Sequence, residues 1–84
     1  MENMSEITGA QIREARAVLK WSAEDLAETA SVGLSTIRRA EAENGVPSIT
    51  AANLKLIRMT LENAGVLFLS SDGGVVVVRF KEPN

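Results

Sequence analysis

The chain has 84 residues, 45% of them hydrophobic and 24% charged, which is typical of one small globular domain. It contains no Cys and no His, which excludes a disulfide framework, Cys or His metal ligands and a Ser-His-Asp triad. Nine basic and eleven acidic residues give a net charge of −2, which argues against nucleic-acid binding through bulk charge but not through a small local basic face.

These limits favour a protein that is not an enzyme and that uses no metal and no cofactor. No stretch reaches the roughly 18 apolar residues that a membrane span needs. Residues 1–10 carry two acidic side chains and lack the basic start of a signal peptide. We therefore expect a cytoplasmic protein with no membrane partner.

Apolar spacing and capping residues predict four helices. In chain order they cover about Gly9 to Lys20, Ala23 to Ala30, Leu34 to Ala42, and a fourth helix that starts after Ser48 or Thr50 and ends before Gly65. Thr8 with Gln11 and Ser22 with Asp25 have the spacing of capping boxes. Ser48 is the favoured cap of the fourth helix, and Gly65 is the expected left-handed residue at its end.

After Gly65 the helical period disappears. Two short runs of β-branched and aromatic residues follow, at residues 66–69 and 75–78, and Ser71 to Gly74 between them has the composition of a tight turn. The pattern predicts a flexible start at residues 1–6, a helical domain at 7–65, and a hairpin with its tail at 66–84.

The segment from Leu26 to Glu41 carries the most informative pattern. Two short helices joined by a three-residue turn can cross steeply only where the contact residues are small, and Ala27 meets that need. At about 100° per residue, Ser35 and Arg39 point away from the apolar Ile37. The outward face is small, polar and positive, and such a face can enter a major groove and read base edges.

In order and spacing, IREARAVLKWSAEDLAETA, VGLSTIRRAE and the PS before the fourth helix resemble the phage-repressor-like helix-turn-helix family (Cro/cI-type, XRE) over about residues 9–62. The predicted fold is then mainly α, a four-helix repressor-like helix-turn-helix domain followed by a C-terminal β-hairpin. The resemblance implies a recognition helix at about 34–42 and an ion pair between Arg16 and Glu41. The implied DNA-binding residues are Ser22, Gly33, Leu34, Ser35, Arg38, Arg39 and Asn44.

The turn departs from the family pattern. Ser31 stands where relatives usually have Gly, and a left-handed conformation there would strain a Ser by about 1 kcal/mol. Gly33 replaces the usual Ser or Thr cap, a loss of a few tenths of a kcal/mol. Leu34 is apolar where many relatives have a polar reader, so it either contacts a thymine methyl group or belongs to the core.

The Val-rich hairpin has apolar residues on both faces, which one helix layer does not cover. A second copy of the chain would cover the remaining face and give a twofold homodimer. The alternative is that the monomer covers both faces itself. The expected dimerisation residues are Val66, Phe68, Val76, Val78 and Phe80.

Together these features predict a sequence-specific regulator of transcription, a repressor that binds double-stranded DNA as a homodimer. The alternative is a protein-interaction module or antitoxin-like partner that docks through the hairpin, which the acidic balance favours. Salt-dependent binding to duplex DNA separates the two functions, because phosphate contacts release counterions.

Overall fold

Four helices make up most of the chain. The computed structural model describes residues 7–70 and 76–80, with side chains described for residues 7–68. The helices are α1 (Gly9–Leu19), α2 (Ala23–Ala30), α3 (Leu34–Glu41) and α4 (Ala51–Asn63). They confirm a mainly α-helical domain of four helices. The flexible start predicted at 1–6 and the tail at 81–84 lie outside the described residues.

The first two helices begin with the capping boxes that the sequence predicts. The Gln11 backbone N–H donates to the Thr8 hydroxyl at 3.1 Å, and the Thr8 N–H donates to the Gln11 side-chain oxygen at 2.6 Å. Ser22 and Asp25 make the same reciprocal pair at 3.0 and 2.9 Å. Each box satisfies two backbone N–H groups that have no partner within the helix.

Thr50, rather than the favoured Ser48, caps α4. The Thr50 backbone is extended, and its hydroxyl accepts from the Asn53 N–H at 3.1 Å. Ser48 lies two residues before this cap, outside the helix. At the other end of α4, Gly65 has a φ of 111°, as expected of a helix-ending glycine.

One apolar core joins all four helices. Its largest fully buried side chains come from each helix and from the segment after α4: Ile12, Leu26, Ile37, Ile57, Leu61 and Val66. Trp21 is half-buried and packs against this cluster. No helix of the described chain is both long and apolar enough to span a bilayer.

Strands β1 (Val66–Ser70) and β2 (Val76–Phe80) follow α4. Their backbones pair antiparallel, with Val66 opposite Phe80 and Ser70 opposite Val76. β1 runs beside α4 and β2 runs beside α1. The turn predicted at 71–74 lies outside the described residues, so the hairpin as a whole stays a prediction.

The assignment of Val66 and Phe68 to a dimer interface was wrong. Both side chains are buried in the core of this chain, so neither is available to a second copy. The reason is that β1 lies beside α4, so Val66 and Phe68 join the core cluster that the helices form. The side chains of Val76, Val78 and Phe80 lie outside the described residues.

Candidate nucleic-acid interface

A three-residue turn joins α2 to α3. Ser31 is left-handed, with φ 59° and ψ 41°, which is the conformation that its position in the turn demands. The Ser31 N–H donates to the Glu28 carbonyl at 3.3 Å, and the Val32 N–H donates to the Ala27 carbonyl at 3.0 Å. These two bonds close the end of α2 as a Schellman motif and turn the chain sharply toward α3.

Small and apolar side chains hold α2 and α3 together. Ala27, Ala30, Val32, Ile37 and Ala40 are all buried between the helices and the rest of the core, as the spacing predicts. Because Ala27 and Ala30 end at Cβ, the two helices approach closely without displacing larger groups. The packing therefore fixes how α3 is presented to solvent.

The outer face of α3 is polar and basic. Ser35, Arg38 and Arg39 are exposed on it. Gly33 begins the helix with no side-chain cap, which agrees with the predicted loss at this position. Leu34 is half-buried and packs against the core cluster, so much of its surface is already covered by this chain.

The two adjacent arginines of α3 have different surroundings. Arg38 pairs with Glu24 of α2 through Nη2 and Oε2 at 3.3 Å, with 64% and 62% of the two side chains exposed. Arg39 has no carboxylate within ion-pair distance among the residues that the structure describes. Arg39 is therefore the uncompensated cation of this face.

An open groove of ≈ 400 Å³ adjoins Arg39 and runs between α3 and the start of α4. Its other lining residues are mostly polar: Thr36, Ser48, Ile49, Thr50 and Asn53. Hydroxyl and amide groups next to an unpaired guanidinium can donate to anionic oxygens, and such donors are frequent phosphate contacts in protein–DNA complexes. The sequence analysis did not identify this groove.

Arg16 of α1 and Glu41 of α3 form a bidentate ion pair. Nε and Nη2 of Arg16 donate to the two carboxylate oxygens at 2.7 and 2.8 Å, and Nη1 donates to the Trp21 carbonyl at 3.0 Å. The hydrogen bonds to Glu41 raise the pKa of Arg16; burial opposes this rise, while the charges of Glu41 and Glu24 add to it. The pair attaches α1 to the last turn of α3.

Two further contacts fix the end of α3, and the sequence analysis missed both. Arg13 donates to the Glu41 carbonyl and, at 2.8 Å, to Oδ1 of Asn44. Gly9 donates its N–H to the Gly45 carbonyl at 2.9 Å and packs directly on the backbone that follows α3. The available signal for Arg13 was its position one helical turn before Arg16.

The other two DNA-facing candidates lie at either end of the helix pair. Ser22 is exposed at the start of α2, where its backbone N–H is already bonded to Asp25 and where Glu24 adds a second negative charge. Asn44 is exposed in the loop after α3; its side-chain oxygen is held by Arg13. Of the predicted set, the structure thus brings Ser35, Arg38 and Arg39 together on one face.

Comparison with models of known protein families and with curated proteins finds no match.

Proposed function

We propose that this chain is a sequence-specific, double-stranded-DNA-binding regulator that represses transcription as a homodimer. α3 would enter the major groove, and Arg39 would supply its main base contact. The observation that carries the proposal is the α2–turn–α3 unit, whose outer face combines Ser35 and two arginines while its inner face is locked into the core.

The charge distribution supports this function despite the net charge of −2. An uncompensated guanidinium on a helix can reach the N7 and O6 acceptors of guanine in the major groove. Arg39 is exposed at this face, and Ser35 lies one turn before it, where its hydroxyl can donate or accept.

The decisive experiment is selection of bound duplexes from a random pool, followed by affinity measurements for the selected and a scrambled duplex. We expect Arg39→Ala to lose sequence discrimination by about 1–3 kcal/mol, or roughly 5- to 150-fold, while the fold survives. Lys20→Gln is the matched control, because Lys20 is an exposed cation just after α1 with no ion pair in the described chain. Retention of the wild-type ranking by Arg39→Ala would rule out Arg39 as a base reader.

For the homodimer, the exposed apolar face of α4 is the surface that replaces Val66 and Phe68 in our proposal. Leu56 and Met59 are both exposed large hydrophobic residues three positions apart, and therefore lie on one side of the helix.

Charge supports a second copy of this chain as the occupant of that face. Lys55 and Glu62 lie seven positions apart and so share one flank of the face. In an antiparallel pair of α4 helices related by a twofold axis, like flanks face each other, which sets Lys55 of one copy beside Glu62 of the other. Such rim charges fix orientation more than they add affinity.

A protein-interaction module remains the second candidate, because the same exposed pair, Leu56 and Met59, would serve a different protein equally well. The salt dependence of duplex binding distinguishes the two functions: a DNA-binding regulator loses affinity steeply as salt rises. If the protein does not bind duplex DNA, or binds it with an affinity that does not change with salt, the interaction module is favoured.

A further inference from the structure

The ion pair between Glu24 and Arg38 connects the two helices of the proposed DNA-binding unit at its surface. Glu24 lies in the first turn of α2 and Arg38 in the last turn of α3. The neighbouring Asp25 already serves the capping box of α2, so the Glu24 carboxylate is not needed there. Its described partner is Arg38, at 3.3 Å.

Because of this contact, Arg38 and Arg39 differ in the net charge that they present to DNA. Arg39 presents a full positive charge to any polyanion, whereas the charge of Arg38 is offset by a carboxylate that approaching phosphates would repel. Glu24 contacts Nη2 of Arg38 alone, so the other N–H groups of Arg38 can still donate to DNA, but always beside the Glu24 carboxylate. A phosphate that binds Arg38 is brought close to the Glu24 carboxylate and is repelled by it, whereas the N7 and O6 acceptors of guanine belong to a neutral base and are repelled far less.

We infer that Glu24 is a specificity-determining positioning residue: by holding Arg38, it restrains Arg38 from binding phosphates of any sequence and leaves it available to a matching base. This inference rests on the proposed DNA-binding function. It explains why a recognition helix with two arginines is accompanied by an acidic residue on the neighbouring helix. Glu24 contacts no DNA itself in this scheme and acts through Arg38.

The test compares Glu24→Gln with Glu28→Gln, both on α2. Both substitutions remove one exposed negative charge, but Glu28 has no ion pair among the described residues. Each variant is titrated at several salt concentrations with the duplex selected by the wild-type protein and with a scrambled duplex of equal length. Thermal unfolding of both variants is measured alongside.

We expect Glu24→Gln to bind the scrambled duplex about two- to fivefold more tightly, the range that an exposed ion pair can supply, and to lose a similar factor in the ratio of specific to non-specific affinity. Its non-specific affinity should also depend more steeply on salt, by about one additional phosphate contact. Glu28→Gln should change both affinities alike and leave the ratio unchanged. Glu24→Gln should lower the unfolding temperature by no more than about 4–8 °C, as expected for loss of one exposed ion pair, and Glu28→Gln should leave it unchanged.

The outcomes separate the inference from the proposed function. Equal ratios for Glu24→Gln and Glu28→Gln, with intact DNA binding, would overturn the inference alone, because Glu24 would then act only through net charge. A wild-type protein that enriches no sequence and shows no salt-dependent binding would overturn the proposed function and this inference together. A changed ratio that persists in the Arg38→Ala background would show that Glu24 does not act through Arg38.

Discussion

Removal of the Arg16 guanidinium should destabilise the domain strongly. Arg16→Met keeps most of the apolar stem but deletes both hydrogen bonds to Glu41 and the one to the Trp21 carbonyl. Glu41 would lose its ion-pair partner with only 10% of its side chain exposed, and Arg16 is itself 25% exposed.

The size of the effect follows from this partial burial. Breaking a fully buried ion pair costs about 3–5 kcal/mol, whereas exposed pairs contribute about 0.2–1 kcal/mol. The Arg16–Glu41 pair lies nearer the buried limit, so we expect a loss of about 2–3 kcal/mol. For a domain of this length that corresponds to a fall in Tm of roughly 10–20 °C.

Urea unfolding followed by fluorescence measures this loss directly, because Trp21 is the single tryptophan and lies next to the pair. Glu24→Gln is the control: it breaks the exposed Glu24–Arg38 pair, and exposed pairs are worth about 0.2–1 kcal/mol. Equal unfolding free energies for Arg16→Met and Glu24→Gln would refute the reasoning.

The effect should not depend on pH near neutrality. Glu41 raises the pKa of Arg16, so the contribution is fully present below the unfolded-state pKa and is lost only as the pH rises through the folded-state value. Both lie far above neutrality. We therefore expect the same difference in unfolding free energy at about pH 6.5 and about pH 8.5.

Three other substitutions test the fold and the assembly. Gly9→Ala should destabilise the protein by about 1–3 kcal/mol in chemical denaturation, because the new Cβ would overlap the carbonyl oxygens of Ala40 in α3 and of Glu43 after it. Within a helix Gly→Ala is normally favourable. Gly45→Ala, with nothing near its Cβ, should change stability by less than about 0.5 kcal/mol. Ser31→Gly should raise the unfolding free energy by about 0.5–1 kcal/mol, because glycine adopts the left-handed conformation without strain, and a loss of stability would contradict this. Leu56→Glu should shift light-scattering mass from dimer to monomer, whereas Val18→Glu, at a residue that is also 42% exposed but on α1, should not; a wild-type protein that stays monomeric would remove the dimer from the proposal.

The local features of this fold were predictable because their causes are local. A capping box needs two residues three positions apart, and Thr8 with Gln11 satisfies it without reference to the rest of the chain. Ser31 stands where the resembled family usually has Gly, and it adopts the left-handed conformation that such a glycine would favour. The sequence does not decide whether Ser48 or Thr50 caps α4, because either hydroxyl can precede a helix.

What the sequence did not reveal depends on contacts between distant segments. A strand with apolar residues on both faces does not indicate what will cover it, so the sequence left open whether a second copy or the chain itself buries Phe68; the chain itself does. Gly9 looked like an ordinary weak helix former, and its close packing on the backbone after α3 exists only in the folded domain. Arg38 and Arg39 are adjacent and chemically identical, and only the position of Glu24 makes them different.

The contacts of α1 have a consequence for the proposed recognition helix. An isolated helix of eight residues is too short to be stable in water. The orientation of α3 therefore depends on its contacts with the rest of the domain. Its start is fixed by the turn at Ser31, and its end is held from α1 by Arg13, Arg16 and Gly9. None of these residues lies on the outer face of α3. The residues that orient α3 are therefore different from Ser35 and Arg39 on its outer face. Ser35 and Arg39 can be substituted without unfolding the domain. Under the proposed function, substitution of Ser35 or Arg39 would change the DNA sequence preference and leave the unfolding free energy almost constant.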